Sequence, residues 1–276
     1  MSLLTATSVR VRSAGAGALT AAGYLLLVLV AAVAPGLFTD RDPLAARPAD
    51  RLLPPGSGHP FGTDELGRDL FARVVHGTAL SLEAAAIACA IALVLGTALG
   101  LLSGALGGRV DELLMRATDV LLAIPSLLLS LALVTALGFG TVKAAVAVGV
   151  TSVAGFARIM RAQVLRVRAA PYVEAARAAG ARWPAVLLGH VLPNAWGPVR
   201  GFAALQFATS LLSVSSLGFL GYGAAPPAPE WGSLVAAGQN WFASAWWLST
   251  LPGLTVAATV LAVNRLAAAL PDAERP

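Results

Sequence analysis

Few residues of this 276-residue chain are placed to make or break bonds. Its one lysine, Lys143, stands between Val142 and Ala144, so the Gly-Lys-Ser/Thr end of a phosphate-binding loop is missing. Neither a His-Glu-x-x-His zinc helix nor a Gly-x-Ser-x-Gly nucleophile turn occurs. The three histidines, His59, His76 and His190, lie in or beside polar segments and are not at metal-ligand spacing. Cys89 is alone inside an apolar run, which excludes a disulfide framework within the chain. Polar and conformationally special residues gather in two places instead. One runs Pro171-Tyr-Val-Glu174-Ala175-Ala176-Arg-Ala-Ala-Gly180, then nine residues, then His190-Val-Leu192-Pro193-Asn194. The other is Gln206, Thr209, Ser210 and Ser213, which recur at helical spacing in an apolar stretch. Such a stripe avoids lipid and faces the bundle. It either walls a passage for a solute or hydrogen-bonds one helix to another, because small hydroxyl residues suit both.

The elements that must hold these residues are membrane helices. Hydrophobic residues make up 57% of the chain and charged residues 12%, about half the charged share of a soluble domain, roughly 25%. A bilayer core needs about 20 apolar helical residues. Six segments qualify, at 18–38, 82–106, 118–137, 142–160, 200–220 and 246–266. The first follows Arg10 and Arg12 and could pass for a cleaved leader, but its length and the further spans favour a retained helix. Pro125 and Pro252 fall inside spans and predict kinks. The domain reading is a cytoplasmic N-terminus at 1–17, a first span at 18–38, an outer loop at 39–78, a five-helix membrane domain at 79–267 and a cytoplasmic C-terminus at 268–276.

Charge sets the expected orientation. From Arg158 to Arg200 there are seven arginines against the single acid Glu174, whereas 221–245 has no basic residue and one acid, Glu230. Segment 39–78 balances five arginines against six acids. The arginine-rich loop therefore stays inside with both termini, and the other two loops face outward. The net charge of +5 is explained by these flanks and does not call for a nucleic-acid partner. The six tryptophans agree, with Trp183 and Trp196 at one interface and Trp231, Trp241, Trp246 and Trp247 at the other.

Within the arginine-rich loop, Pro171 suits a first helical turn and Glu174 complements a helix N-terminus. Gly180 suits the left-handed residue that ends a helix. The spacing predicts a short helix outside the bilayer with a slim alanine surface. A second short helix is expected from Trp183-Pro184, with Leu192-Pro193 turning the chain back to the membrane.

This loop, 158–197, resembles the EAA loop of binding-protein-dependent ABC importer permeases, whose pattern Glu174, Ala175, Ala176, Gly180, Leu192 and Pro193 match in type and spacing. The likeness extends over most of the chain and is to the peptide/nickel subfamily, C-type subunit. It is carried also by Gly62-Thr63-Asp64-Glu-Leu-Gly67-Arg68-Asp69, by Gly107-Gly108-Arg109-Val110-Asp111, by Asp119 and Pro125, and by Phe219-Leu-Gly221-Tyr-Gly223 with Pro229-Glu230-Trp231-Gly232. The C-terminal stretch from Asn264 departs from the family's longer acidic tail. The resemblance implies an all-α membrane protein with six transmembrane helices, the type I ABC importer permease fold, and a cytoplasmic coupling helix. It implies a bacterial inner-membrane subunit that forms half of a pathway for di- or oligopeptides or a solute such as nickel. It also implies a homologous second permease, two ATPase subunits that bind the ATP and magnesium, and an extracytoplasmic substrate-binding protein. The chain itself then needs no cofactor and is no enzyme. An ion-coupled secondary transporter is the rival reading, but the only acids within the spans, Glu83 and Asp119, lie near their ends.

Overall fold

The computed structural model describes residues 2–269, and the side chains of residues 17–269. The end of the expected C-terminal segment 268–276, and the side chains of most of segment 1–17, lie outside the described residues. Helices α1 (Ser2–Val33), α2 (Leu70–Leu106), α3 (Gly108–Ala123), α4 (Ser126–Leu137) and α5 (Thr141–Arg168) are followed by the short α6 (Pro171–Ala178) and α7 (Trp183–Val186). Then come α8 (Leu192–Leu217), α9 (Trp231–Gly238) and α10 (Trp247–Ala269). Among the described residues the only β feature is an isolated bridge between Thr63 and Asp69.

The centre of the bundle is α2, α5 and α8, with α1 and α10 packed together on one flank and α4 against α5. The tightest pairing is α2 on α5, and its cause is a seam of glycines. Gly96, Gly100 and Gly104 follow one another by four, on one face of α2. A Cβ at Gly96 would stand 2.5 Å from the Val153 carbonyl oxygen, and one at Gly104 would stand 2.8 Å from the Val164 Cβ. Gly149 of α5 answers with 2.9 Å to the Ala88 carbonyl. Missing side chains let the backbones approach, which is how helices associate where lipid supplies no hydrophobic drive.

The spans differ from expectation in instructive ways. α2 has 37 residues, about 55 Å at 1.5 Å per residue. It starts at Leu70 rather than near 82 because Asp69 caps it, its Oδ1 accepting from the Ala72 N–H at 2.8 Å. α1 stops at Val33 rather than 38, since Pro35 opens a separate turn. The expected span 118–137 is broken: α3 and α4 meet at Ile124-Pro125 with a bend of 95°. Pro125 lacks the N–H that would continue the helix and pushes Ile124 into extended backbone, ψ 132°. Among the described residues, four helices are long and apolar enough to cross a membrane, five if the bent pair counts as one. The apolar part of α1, Gly17–Val33, is shorter, about 25 Å.

Leu192-Pro193 also corrects the expectation of a turn. From Trp183 the chain runs as one helical rod through Leu192-Pro193 to a kink at Gly221, φ 91°, loosened into a π-helical turn at Leu187–Val191. The Leu192 N–H reaches back five residues to the Leu187 carbonyl, the wider turn that accommodates Pro193, which has no N–H to give.

The 39–78 and 221–245 loops lie at one end of the bundle. The Trp247 indole N–H donates to the Thr63 carbonyl at 3.3 Å, and the buried Trp231 indole donates to the Val74 carbonyl at 3.0 Å. The arginine-rich loop forms the opposite end.

Candidate coupling site

Helix α6 is built as its residues predict. Pro171 occupies its first turn and the Glu174 N–H donates to the Ala170 carbonyl at 3.2 Å. Gly180 adopts φ +86°. The Gly180 N–H donates to Arg177 at 3.0 Å and the Ala181 N–H to Ala176 at 3.2 Å. This crossed pair is the Schellman termination, which satisfies the last carbonyls. No atom lies within 4 Å of where a Gly180 Cβ would be, so its constraint is purely conformational.

One face of α6 holds and the other is free. Val173 is fully buried, in a cluster with Val167, Val186 and Val191. Glu174, Ala175 and Gly180 are exposed and Ala176 is half-buried. Leu192 is half-buried and Pro193 exposed, both at the head of the rod rather than on α6. A cavity of about 400 Å³ opens beside the first turn, lined by residues that include Arg166, Tyr172, Pro193, Asn194 and Arg200.

Side chains that the motif did not single out tie this end together. Arg161 Nε and Nη2 donate to the two Asp111 carboxylate oxygens at 2.6 and 2.7 Å, and Ser103 donates to the same carboxylate. The Arg161 hydrogen bonds, helped by Ser103, hold the Asp111 carboxyl down at about 2. Arg168 Nη1 donates to the Gly104 carbonyl at 2.6 Å in the last turn of α2. The guanidinium groups of Arg168 and Arg177 each sit 5.5 Å from the centre of the Trp183 ring. Asp111 could have been suspected from its Gly-Gly-Arg-Val-Asp setting, whereas nothing local distinguishes Arg168 among seven arginines.

The polar stripe of α8 divides. Gln206 and Ser210 are buried, and Gln206 Nε2 donates to Ser152 Oγ of α5 at 2.9 Å and to Ser210 Oγ at 3.4 Å. Thr209 is exposed, bonded only to its own helix at the Leu205 carbonyl, and Ser213 is half-buried. The stripe thus joins α8 to α5 through Gln206, with Ser210 buried beside it, and leaves Thr209 exposed.

At the loop end, the Gly62-to-Asp69 signature is a structural knot. Asp64 accepts from the Arg68 Nε at 2.6 Å, while Asp69 receives Arg41 and His59 at 2.8 Å each besides capping α2. Gly67, at φ +74°, leaves room for the Arg47 carbonyl. Glu230 is buried, accepting from the Ala224 N–H at 2.7 Å and the Thr141 hydroxyl at 3.4 Å, and burial pushes its carboxyl up.

The described residues thus form a bundle of apolar helices bearing a short helix, closed at Gly180, at its arginine-rich end. Residues 96–273 match the family of binding-protein-dependent transport system inner membrane components. The chain is 39% identical over 216 residues to a di/tripeptide transport system permease protein of Pseudomonas aeruginosa, covering 78% of this chain and 71% of that protein. It is 38% identical over 249 residues to a dipeptide transport system permease protein of Alkalihalophilus pseudofirmus, covering 90% and 82%. A glutathione transport system permease protein of Shigella flexneri is 40% identical over 260 residues, covering 94% and 86%. The chain belongs to this family of ABC transporter permeases and is a multi-pass inner membrane protein.

Proposed function

We propose that this chain is one of two permease subunits of an ABC importer for short peptides, with α6 as the helix that docks on an ATPase subunit. The observation that carries the reading is α6 itself: a two-turn helix, opened by Pro171 and closed at Gly180, anchored by Val173 and presenting Glu174 and Ala175 to solvent. The peptide substrate is argued from relatives named for dipeptides, tripeptides and glutathione. Six spans result when the bent α3–α4 pair is counted as one and α1 as another. The arginine-rich end faces the cytoplasm and the knotted loops face outward, where a substrate-binding protein would dock. Two ATPase subunits bind the ATP and magnesium, and a homologous permease completes the passage.

The test is copurification of the assembled importer carrying Glu174→Ala or Gly180→Val. Both variants are expected to fold, to lose ATPase subunits and to lose peptide-stimulated hydrolysis. Wild-type retention and stimulation in both would reduce the loop to a connector.

A further inference from the structure

We propose that Arg168 is the positioning residue through which displacement of α6 reaches the α2–α5 pair. The inference rests on the coupling role proposed for α6 and names the path that role takes inside this chain.

Three contacts lie in series. Arg177 of α6 stacks on one ring, that of Trp183, and Arg168 at the end of α5 stacks on the same ring, each at 5.5 Å. Arg168 then donates to the Gly104 carbonyl at 2.6 Å, with the Ala105 carbonyl at 3.4 Å. Gly104 is the last residue of the glycine seam, so the Arg168 guanidinium grips α2 where α2 and α5 are already locked backbone to backbone. Among the described residues, neither Arg168 nor Arg177 has a carboxylate within 4.0 Å. Arg177 is therefore placed by the ring, and Arg168 by the ring together with the helix-end carbonyls, both of which favour a cation. Two like charges share one ring, whose negative face attracts each of them. On its cavity side α6 has room to tilt, since about 400 Å³ lies open there. A push on α6 is thus taken up on the Trp183 side. There it meets a guanidinium bonded to the most closely packed pair in the bundle. Lysine would keep the charge but has no plane to lie on the ring while a nitrogen at its edge reaches the carbonyls.

The test uses the whole importer, co-expressed with its ATPase and second permease subunits and reconstituted in lipid. Arg168→Gln and Trp183→Leu are expected to keep the ATPases bound and hydrolysing while peptide uptake per ATP falls about tenfold, within the usual range for coupling between sites. Trp183→Phe keeps a ring and should restore near wild-type uptake per ATP. Spin labels at Ala178→Cys and Leu106→Cys give a readout that a merely structural role would not move. Their separation should stay constant on ATP binding in the wild type and change in Arg168→Gln. Unchanged uptake per ATP in Arg168→Gln, or loss of ATPases and thermal stability in step with uptake, would overturn the proposal. Should Glu174→Ala release the ATPases while Arg168→Gln transports normally, α6 still couples but by another route. Should both behave as wild type, the coupling role itself is lost.

Discussion

Around Gly180 the space is empty, so a side chain there is opposed by its own backbone and by no neighbour. At φ +86° an alanine costs about 1 kcal/mol or more, an asparagine less, and a β-branched residue most. ATPase retention should therefore fall in the order Gly180, Asn, Ala, Val, while the melting temperature of the purified subunit barely moves. A clash-driven glycine would instead track side-chain volume. Asp111 makes the opposite kind of case, because its partners are specific and half-sheltered. Removing the carboxylate with Asp111→Asn should cost about 2 kcal/mol, the scale of hydrogen bonds to a charged group. Since its folded carboxyl is held near 2, below the ordinary value of about 4, the stabilisation is fully present above that ordinary value. It is lost as pH falls toward the folded value. The gap in thermal stability between wild type and Asp111→Asn should be flat from neutral pH down to about 5 and narrow below about 4.

Among the elements, α8 shows most directly how a sequence pattern can hold two roles. Gln206 bonds α5 and Ser210 is fully buried beside it, whereas Thr209 is exposed. Ser210→Leu should therefore lower the melting temperature by overpacking its buried site, at a cost of about 1–3 kcal/mol. Thr209→Leu should spare stability, and if the exposed face walls the passage it should still abolish peptide uptake. Equal losses of stability in both variants would assign the whole stripe to packing. Helical periodicity could reveal the stripe but not its division, because 3.6-residue spacing says which residues share a face and not which neighbour that face meets. The same limit explains the other differences. Hydropathy finds 82–106 but not the first three turns of α2, which are made helical by the Asp69 cap and by packing outside lipid. It joins 118–137 across Pro125, since apolar content is blind to a 95° bend. α6 was legible because proline, glutamate and glycine each carry a positional meaning within ten residues. Arg168 was not, because its role depends on the end of a helix sixty residues earlier.

For the molecule as a whole, the two ends carry different chemistry. Arginines gather at one, and a knot of paired acids, arginines and buried tryptophans occupies the other. Impermeant thiol labelling on intact cells tests the orientation that follows. In a Cys89→Ser background, cysteine at the exposed Ser244 should label from outside and cysteine at the exposed Ala178 should not. The opposite pattern would place α6 on the wrong side for an ATPase.

The pairing of α1 with α10 also has a consequence for how the chain is made. The Tyr24 hydroxyl has its partners, the Thr255 carbonyl at 3.3 Å and the Thr259 hydroxyl at 3.2 Å, on the last helix. At roughly 5–20 residues per second, a ribosome takes on the order of ten seconds or more to synthesise the chain between them. During that interval the Tyr24 hydroxyl is without its partners on α10, and the 39–78 loop waits for Trp247 to reach the Thr63 carbonyl. The bundle therefore closes only when its final helix enters the membrane. Nascent chains halted before Trp247 should be cut rapidly by a membrane protease in a pulse-chase experiment, and chains released after Ala269 should resist it.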